Sequence, residues 1–161
     1  MAKNTPTIKE LDSVTQPATT STYGVVQEEE LSAIRVIRGG GGTYGIGASA
    51  VLPFTQTDYN IGSGFTWSNS TPSRITCNFD GYVSLGVSFG FNGPVGEHRL
   101  NIEQNGGLAM SYQCNGAGFF PRIAVSNGDY LEVYFNNSGT IDNSGQHCWM
   151  VISQLTDKSI K

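Results

Sequence analysis

The stretch GYVSLGVSFGF, Gly81 to Phe91, alternates strictly: Val83, Leu85, Val87, Phe89 and Phe91 at every second position, with Tyr82, Ser84, Gly86, Ser88 and Gly90 between them. On an extended chain this period of two sends one set to each side, whereas on a helix the same residues would scatter around the circumference. Other segments carry the same signal. RLNIEQNGG places Leu100 and Ile102 inward and runs into a turn. RIAVSNGDYLEVYF has two alternating runs joined at Asn127-Gly128, a pairing that predicts a hairpin. HCWMVISQL sets Cys148, Met150 and Ile152 opposite Trp149, Val151 and Leu155. No segment carries a helical apolar stripe. Short strands separated by turn residues predict an all-β fold, a β-sandwich.

The 161 residues suffice for one domain with a core and a short extension. Residues 1–22, MAKNTPTIKELDSVTQPATTST, are polar and rich in Thr, Ser and Pro. Such a segment buries too little surface to offset its ordering entropy, so it is expected to be an extended arm. Residues 23–38 read as a small hairpin, two β-branched runs around the acidic turn Glu28-Glu29-Glu30. Gly39 to Gly42 then form a joint, and residues 43–161 make up the body.

That joint contains a literal G-x-G-x-x-G at Gly40, Gly42 and Gly45. A phosphate cradle needs a helix N-terminus after its glycines. The residues that follow, Ile46-Gly47-Ala48-Ser49-Ala50-Val51-Leu52-Pro53, start no helix, and no Gly-Lys-Ser/Thr is present. The glycines therefore read as a flexible hinge. Other chemical groups are equally sparse. His98 and His147 are the only histidines, and neither forms an H-x-x-x-H or joins a C-x-x-C. Cys77, Cys114 and Cys148 are widely spaced and odd in number, which fits no disulfide framework and suggests packed thiols in a reducing cytoplasm. Asp58 with Asp80, or Glu97 with Glu103, can be imagined as hydrolytic pairs, but each acid reads more simply as turn chemistry or solvated surface. The expectation is a protein without catalytic activity, cofactor or metal.

Charge narrows the partners. Lysine occurs only at Lys3, Lys9, Lys158 and Lys161, and between Thr43 and Thr156 the cations are Arg74, Arg99 and Arg122. The same span holds seven acids, Asp58, Asp80, Glu97, Glu103, Asp129, Glu132 and Asp142. A body this acidic lacks the basic stripe that binds phosphate backbones, so nucleic acid is not an expected partner. No run approaches membrane-spanning length or resembles a signal peptide, so no membrane partner is expected.

From Phe54 to Leu155 the order of motifs resembles a known superfamily. Tyr59-Asn60-Ile61-Gly62 leads to Ile75-x-Cys77-x-Phe79-Asp80-Gly81-Tyr82-x-Ser84, Gly128-Asp129 precedes an alternating strand, and an aromatic-containing strand ends the body. This order is similar to the jelly roll of the complement globular heads and tumour necrosis factors. The N-terminal segment, with Ile8, Leu11, Val25, Val26, Gln27 and the run from Leu31 to Val36, resembles the opening of many tailed-bacteriophage virion proteins.

Together the resemblances imply a TNF-like jelly-roll β-sandwich and a bacteriophage capsid decoration, or cement, protein made in the host cytoplasm. Members of this superfamily pack as trimers through small-featured faces with aromatics near the axis. Tyr82, Ser84, Gly86 and Ser88 are the residues expected at such an interface, joined by Tyr130 and Tyr134. The arm is expected to hold the major capsid protein through Ile8, Leu11 and Val14, three residues apart and so on one face of a helical turn. The alternative is a trimeric fibre tip that recognises a host surface ligand.

Overall fold

The computed structural model describes residues 31–91, 99–113 and 116–156. Among them are thirteen strands, numbered here in chain order, and no helix. The arm with Ile8, Leu11 and Val14, and the first part of the expected hairpin, lie outside the described residues.

Two antiparallel sheets face each other. The first has the spatial order β10 (Ala117–Val125), β7 (Gly81–Ser88), β13 (Trp149–Leu155), β1 (Ala33–Ile37) and β4 (Gln56–Ile61). The second has the order β5 (Phe65–Trp67), β6 (Ile75–Cys77), β11 (Tyr130–Phe135), β8 (Arg99–Gln104) and β9 (Gly107–Gln113), with β3 (Ala50–Val51) also paired to β11. A small ribbon of β2 (Thr43–Ile46) and β12 (Gly139–Asp142) closes one end. Inward residues of both sheets form one core: Ile34, Val83, Leu85 and Ile152 from the first meet Ile102, Leu131 and Val133 from the second. Phe89 and Phe135 pack edge-to-face in it, their ring centroids 5.1 Å apart. The alternation of β7 therefore divides as its sequence predicts, with Val83, Leu85 and Val87 buried in the core.

Three expectations change. Residues 33–37 are not the return strand of a separate hairpin. β1 is paired on both edges, to β13 from Ala33↔Ser153 to Ile37↔Trp149 and to β4 from Ala33↔Ile61 to Ile37↔Gln56. It belongs to the body because Ile34 and Val36 are fully buried there. Nor is Gly39–Gly42 a free hinge. Gly41 N donates to Asn143 O at 3.0 Å, Asn143 N donates to Gly42 O at 2.9 Å, and the turn is thereby fixed to the loop after β12. Its glycines supply the left-handed backbone at Gly41 and Gly42, φ +72° and +73°, rather than mobility.

The third change concerns Asn127-Gly128, which marks a real turn but not a hairpin. Asp129 N donates to Ser126 O at 2.9 Å, and Gly128 alone of the two central residues has positive φ, +93°. The primed turns of two-residue hairpins of type I′ need positive φ at both. The chain instead crosses from β10 in one sheet to β11 in the other. Asp129 holds the crossing, accepting from Asn105 Nδ2 at 2.6 Å, Ser126 N at 2.7 Å and Gln104 Nε2 at 2.7 Å. These donors, Asn105 first, keep its carboxyl below the usual range.

Candidate functional site

Register across the first sheet assembles its outward residues into rows that no single strand contains. One row is Ala117, Ser88 and Trp149; the next is Phe119, Gly86, Val151, Arg35 and Tyr59. A third is Ser84, Ser153, Ala33 and Ile61, and a fourth is Ala124, Tyr82 and Leu155. Over Gly86 this surface sinks into a groove of about 560 Å³, lined by Ser84, Phe119, Trp149, Val151 and Ser153 among others. Glycine keeps the floor low. A Cβ at Gly86 would stand 3.1 Å from Val151 Cγ1 and 3.6 Å from the Trp149 ring, in space the groove now occupies.

The groove is walled by aromatics. Phe119, on the edge strand β10, is 70% exposed, an unusual position for so large an apolar side chain. Trp149 lies beneath the Arg35 guanidinium, 5.2 Å from its centroid, and Arg35 is neutralised by Asp58 at 2.9 Å. Arg122 stacks over Tyr82 at 3.7 Å. At the far edge, Tyr59 and Ile61 on β4 are exposed. The face thus carries Ser84, Gly86, Ser88 and Ser153 around the groove, with Trp149 and Val151 beside them. Exposed Phe119 stands at one edge and exposed Tyr59 and Ile61 at the other, with Arg35 paired to Asp58 on the β4 side.

Tyr82, Ser84, Gly86 and Ser88 all belong to this face, as the sequence predicts. Tyr130 and Tyr134 do not. They project from β11, on the outer face of the second sheet, with the whole core between them and β7. Their neighbours are polar and partly charged. Glu132, 4% exposed, accepts from Ser73 Oγ at 2.6 Å and from Arg74 Nε at 3.1 Å, and Arg74 stacks over Tyr130 at 4.2 Å. Glu103 stands directly opposite Glu132. Partial burial and then that second carboxylate raise the Glu103 carboxyl above the ordinary range. The two tyrosines therefore share no face with Tyr82, Ser84, Gly86 and Ser88, and the expected set of six falls on two separate surfaces.

Cys77 and Cys148 are fully buried free thiols, each pushed up to about 12, chiefly by burial, so both stay protonated and poorly nucleophilic. Cys114 lies outside the described residues. His147 Nδ1 meets Asp142 Oδ2 at 2.8 Å near the surface. Among the described residues no three His, Cys, Asp or Glu side chains come together as metal ligands would.

No family model matches the chain, and no curated protein matches it. Solved structures do. Eiger TNF from S. frugiperda superposes with a TM-score of 0.63 at 8% identity, covering 81% of this chain and 96% of its own. Murine APRIL superposes at 0.62 with 10% identity, covering 78% of this chain and 100% of its own. The fold is a TNF-like jelly roll. The same fold is present in the PRD1 vertex protein P5, at a TM-score of 0.55 and 14% identity, over 79% of this chain and 97% of that one. At these identities the likeness extends to architecture alone.

Sequence reasoning identified the β7 residues of the face but not Phe119, Arg35, Tyr59 or Ile61 as parts of it. Trp149 and Val151 were already legible as outward from the alternation of β13. Phe119 had a signal too: of two successive phenylalanines on a strand, one must point away from the core.

Proposed function

We propose that this chain is a structural protein of a bacteriophage virion, a homotrimer formed through the outer face of its first sheet that decorates the capsid. The observation carrying this reading is that face itself, grooved above Gly86 between Phe119 and Trp149, with exposed apolar side chains at both edges. Depletion of net charge with retention of aromatics is the composition of an interface core rather than of a solvated sheet. A viral vertex protein with the same fold supports the virion setting. The work is binding, without catalysis, cofactor, metal, nucleic acid or membrane.

In this reading the arm of residues 1–22 reaches the major capsid protein through Ile8, Leu11 and Val14. Three arms on one trimer multiply a weak attachment through effective concentration. Because β1 lies inside the sheet, the chain leading from the arm enters the body at a fixed point, Ser32, where Ser32 Oγ accepts from Gly64 N at 3.0 Å. The arm's attachment is then carried directly by the core.

Two measurements test the proposal. Sedimentation equilibrium of the reduced protein should give three times the 17.2 kDa chain mass. Co-sedimentation with undecorated shells should show occupancy over the whole shell, lost on deletion of residues 1–22. Binding confined to the tail would instead favour a receptor-binding tip, and a monomer at micromolar concentration would remove the trimer.

A further inference from the structure

Asn127-Gly128 is a turn signal that makes no hairpin, and the same pair carries a reaction of its own. A glycine after asparagine leaves the backbone nitrogen sterically open. That nitrogen can attack the preceding side-chain amide and close a succinimide ring. Two such pairs lie wholly among the described residues, Asn105-Gly106 and Asn127-Gly128. Both asparagines are exposed, so access of water does not distinguish them. Their hydrogen bonds do.

The Asn105 side chain is a latch. Its Nδ2 donates to Asp129 Oδ1 at 2.6 Å, and its Oδ1 accepts from Tyr130 N at 3.0 Å. The carboxamide is held at both ends, so Cγ cannot swing onto Gly106 N unless both bonds open, one of them to a carboxylate. Asn127 is engaged through its backbone instead, its N donating to Asp80 Oδ1 at 2.9 Å, and no described residue bonds its side chain. That nitrogen is not part of the ring that forms. A Cβ at Gly128 would meet nothing within 4 Å, which leaves room for the ring. One restraint remains, since Gly128 N donates to Cys77 O at 2.8 Å and must leave it to attack.

We propose that Asn127 is a site of spontaneous deamidation, and that the bond to Asp129 protects Asn105 from the same reaction. Gly128 N bonds to Asn127 Cγ as the Cγ–Nδ2 bond breaks, and Nδ2 leaves as ammonia with the proton from Gly128 N. Water then opens the succinimide. Opening at Cγ gives an aspartyl residue, and opening at the main-chain carbonyl carbon gives an isoaspartyl residue with the chain routed through Cβ. Either product sets a new carboxylate beside Asp80 and two residues from Asp129, where the chain crosses from β10 to β11. Attack at Asn127 requires one neutral bond to open, whereas attack at Asn105 requires two, one of them charge-assisted. That difference should separate the two rates by roughly tenfold to a hundredfold.

The test incubates the full-length folded protein at mildly alkaline pH and follows each asparagine by peptide mapping with mass spectrometry, alongside synthetic peptides spanning the two turns. Asn127 should convert, more slowly than in its peptide, and Asn105 should lag behind it by the factor above. The two peptides should convert at similar rates, because the difference belongs to the fold. Asp129→Ala should bring the Asn105 rate up towards that of Asn127, while Asp129→Asn, which keeps an acceptor oxygen, should raise it less. Equal rates at the two asparagines of the folded wild type would overturn the proposal, as would an Asn127 that stays intact while its peptide converts. An Asn105 rate unchanged in folded Asp129→Ala would overturn the protective role. The wild-type comparison needs no variant, so it decides the matter even where Asp129→Ala fails to fold.

Discussion

Phe119→Ser should dissociate the proposed trimer while leaving the subunit intact, and its size can be worked from exposure. Aromatic side chains bury roughly 150–250 Å² when fully covered. Phe119 is 70% exposed in the single chain, so a partner would cover most of that area. At about 25 cal/mol per Å² this contributes ~3 kcal/mol at each interface. A closed ring of three has three identical interfaces, so the change acts three times on one equilibrium, ~9 kcal/mol per trimer. At ~1.4 kcal/mol per tenfold, the trimer dissociation constant shifts by about six powers of ten. The midpoint concentration varies as the square root of that constant and should rise on the order of a thousandfold. Sedimentation equilibrium over nanomolar to high micromolar concentrations measures it directly. The isolated subunit should lose little, within ~0.5 kcal/mol, because the ring contributes to no core. A midpoint displaced less than tenfold would refute the reasoning, placing Phe119 outside the contact however the chain assembles.

Other perturbations test the body. Arg74→Ala removes the cation beside a carboxylate that is 4% exposed, and denaturant titration should show a loss of ~2–3 kcal/mol, less than for a fully buried pair because Arg74 is itself half-exposed. Glu103→Gln should stabilise at neutral pH by ~0.2–1 kcal/mol, since it ends the repulsion across the strands. Glu103 has a raised folded pKa, so its ionisation opposes folding as pH rises above the ordinary value of 4.5, and the variant's advantage should fade on acidification through that value. Asp129→Ala should show the opposite dependence. Its lowered folded pKa makes the wild type's advantage fully present above the ordinary 3.8 and lost as pH falls through the folded value, which paired acid titrations would resolve. Gly128→Val should cost ~1–2 kcal/mol by thermal melting, because φ +93° is strained for a β-branched residue with open space around it.

How much of this was legible beforehand depends on whether a feature is local. Alternation fixed which side chains of β7, β8 and β13 point inward, since that property belongs to each strand alone. Pairing partners leave no such mark. The run around Ile34 and Val36 reads as a strand in either setting, but its neighbours are β4 and the distant β13, so a local hairpin looked sufficient. Asn127-Gly128 announces a turn, yet whether the strands pair or part depends on the φ of Asn127, which both outcomes permit for that residue. The four glycines advertise backbone freedom without saying whether it is spent on mobility or on two left-handed residues bonded to Asn143.

The face suffers from the same non-locality more acutely. Tyr82 and Tyr134 have similar credentials within their strands, each outward beside a core valine, but sheet membership separates them by the thickness of the sandwich. Conversely, Phe119, Gly86, Val151, Arg35 and Tyr59 come from five strands and share nothing in sequence, yet register makes them one continuous row. Each strand thus specifies an outward set, and only the order β10-β7-β13-β1-β4 turns those sets into a surface. Once that order is known the surface has direction as well as composition. The exposed phenylalanine falls at one edge and the exposed Tyr59 and Ile61 at the other, a distinction that no single strand carries.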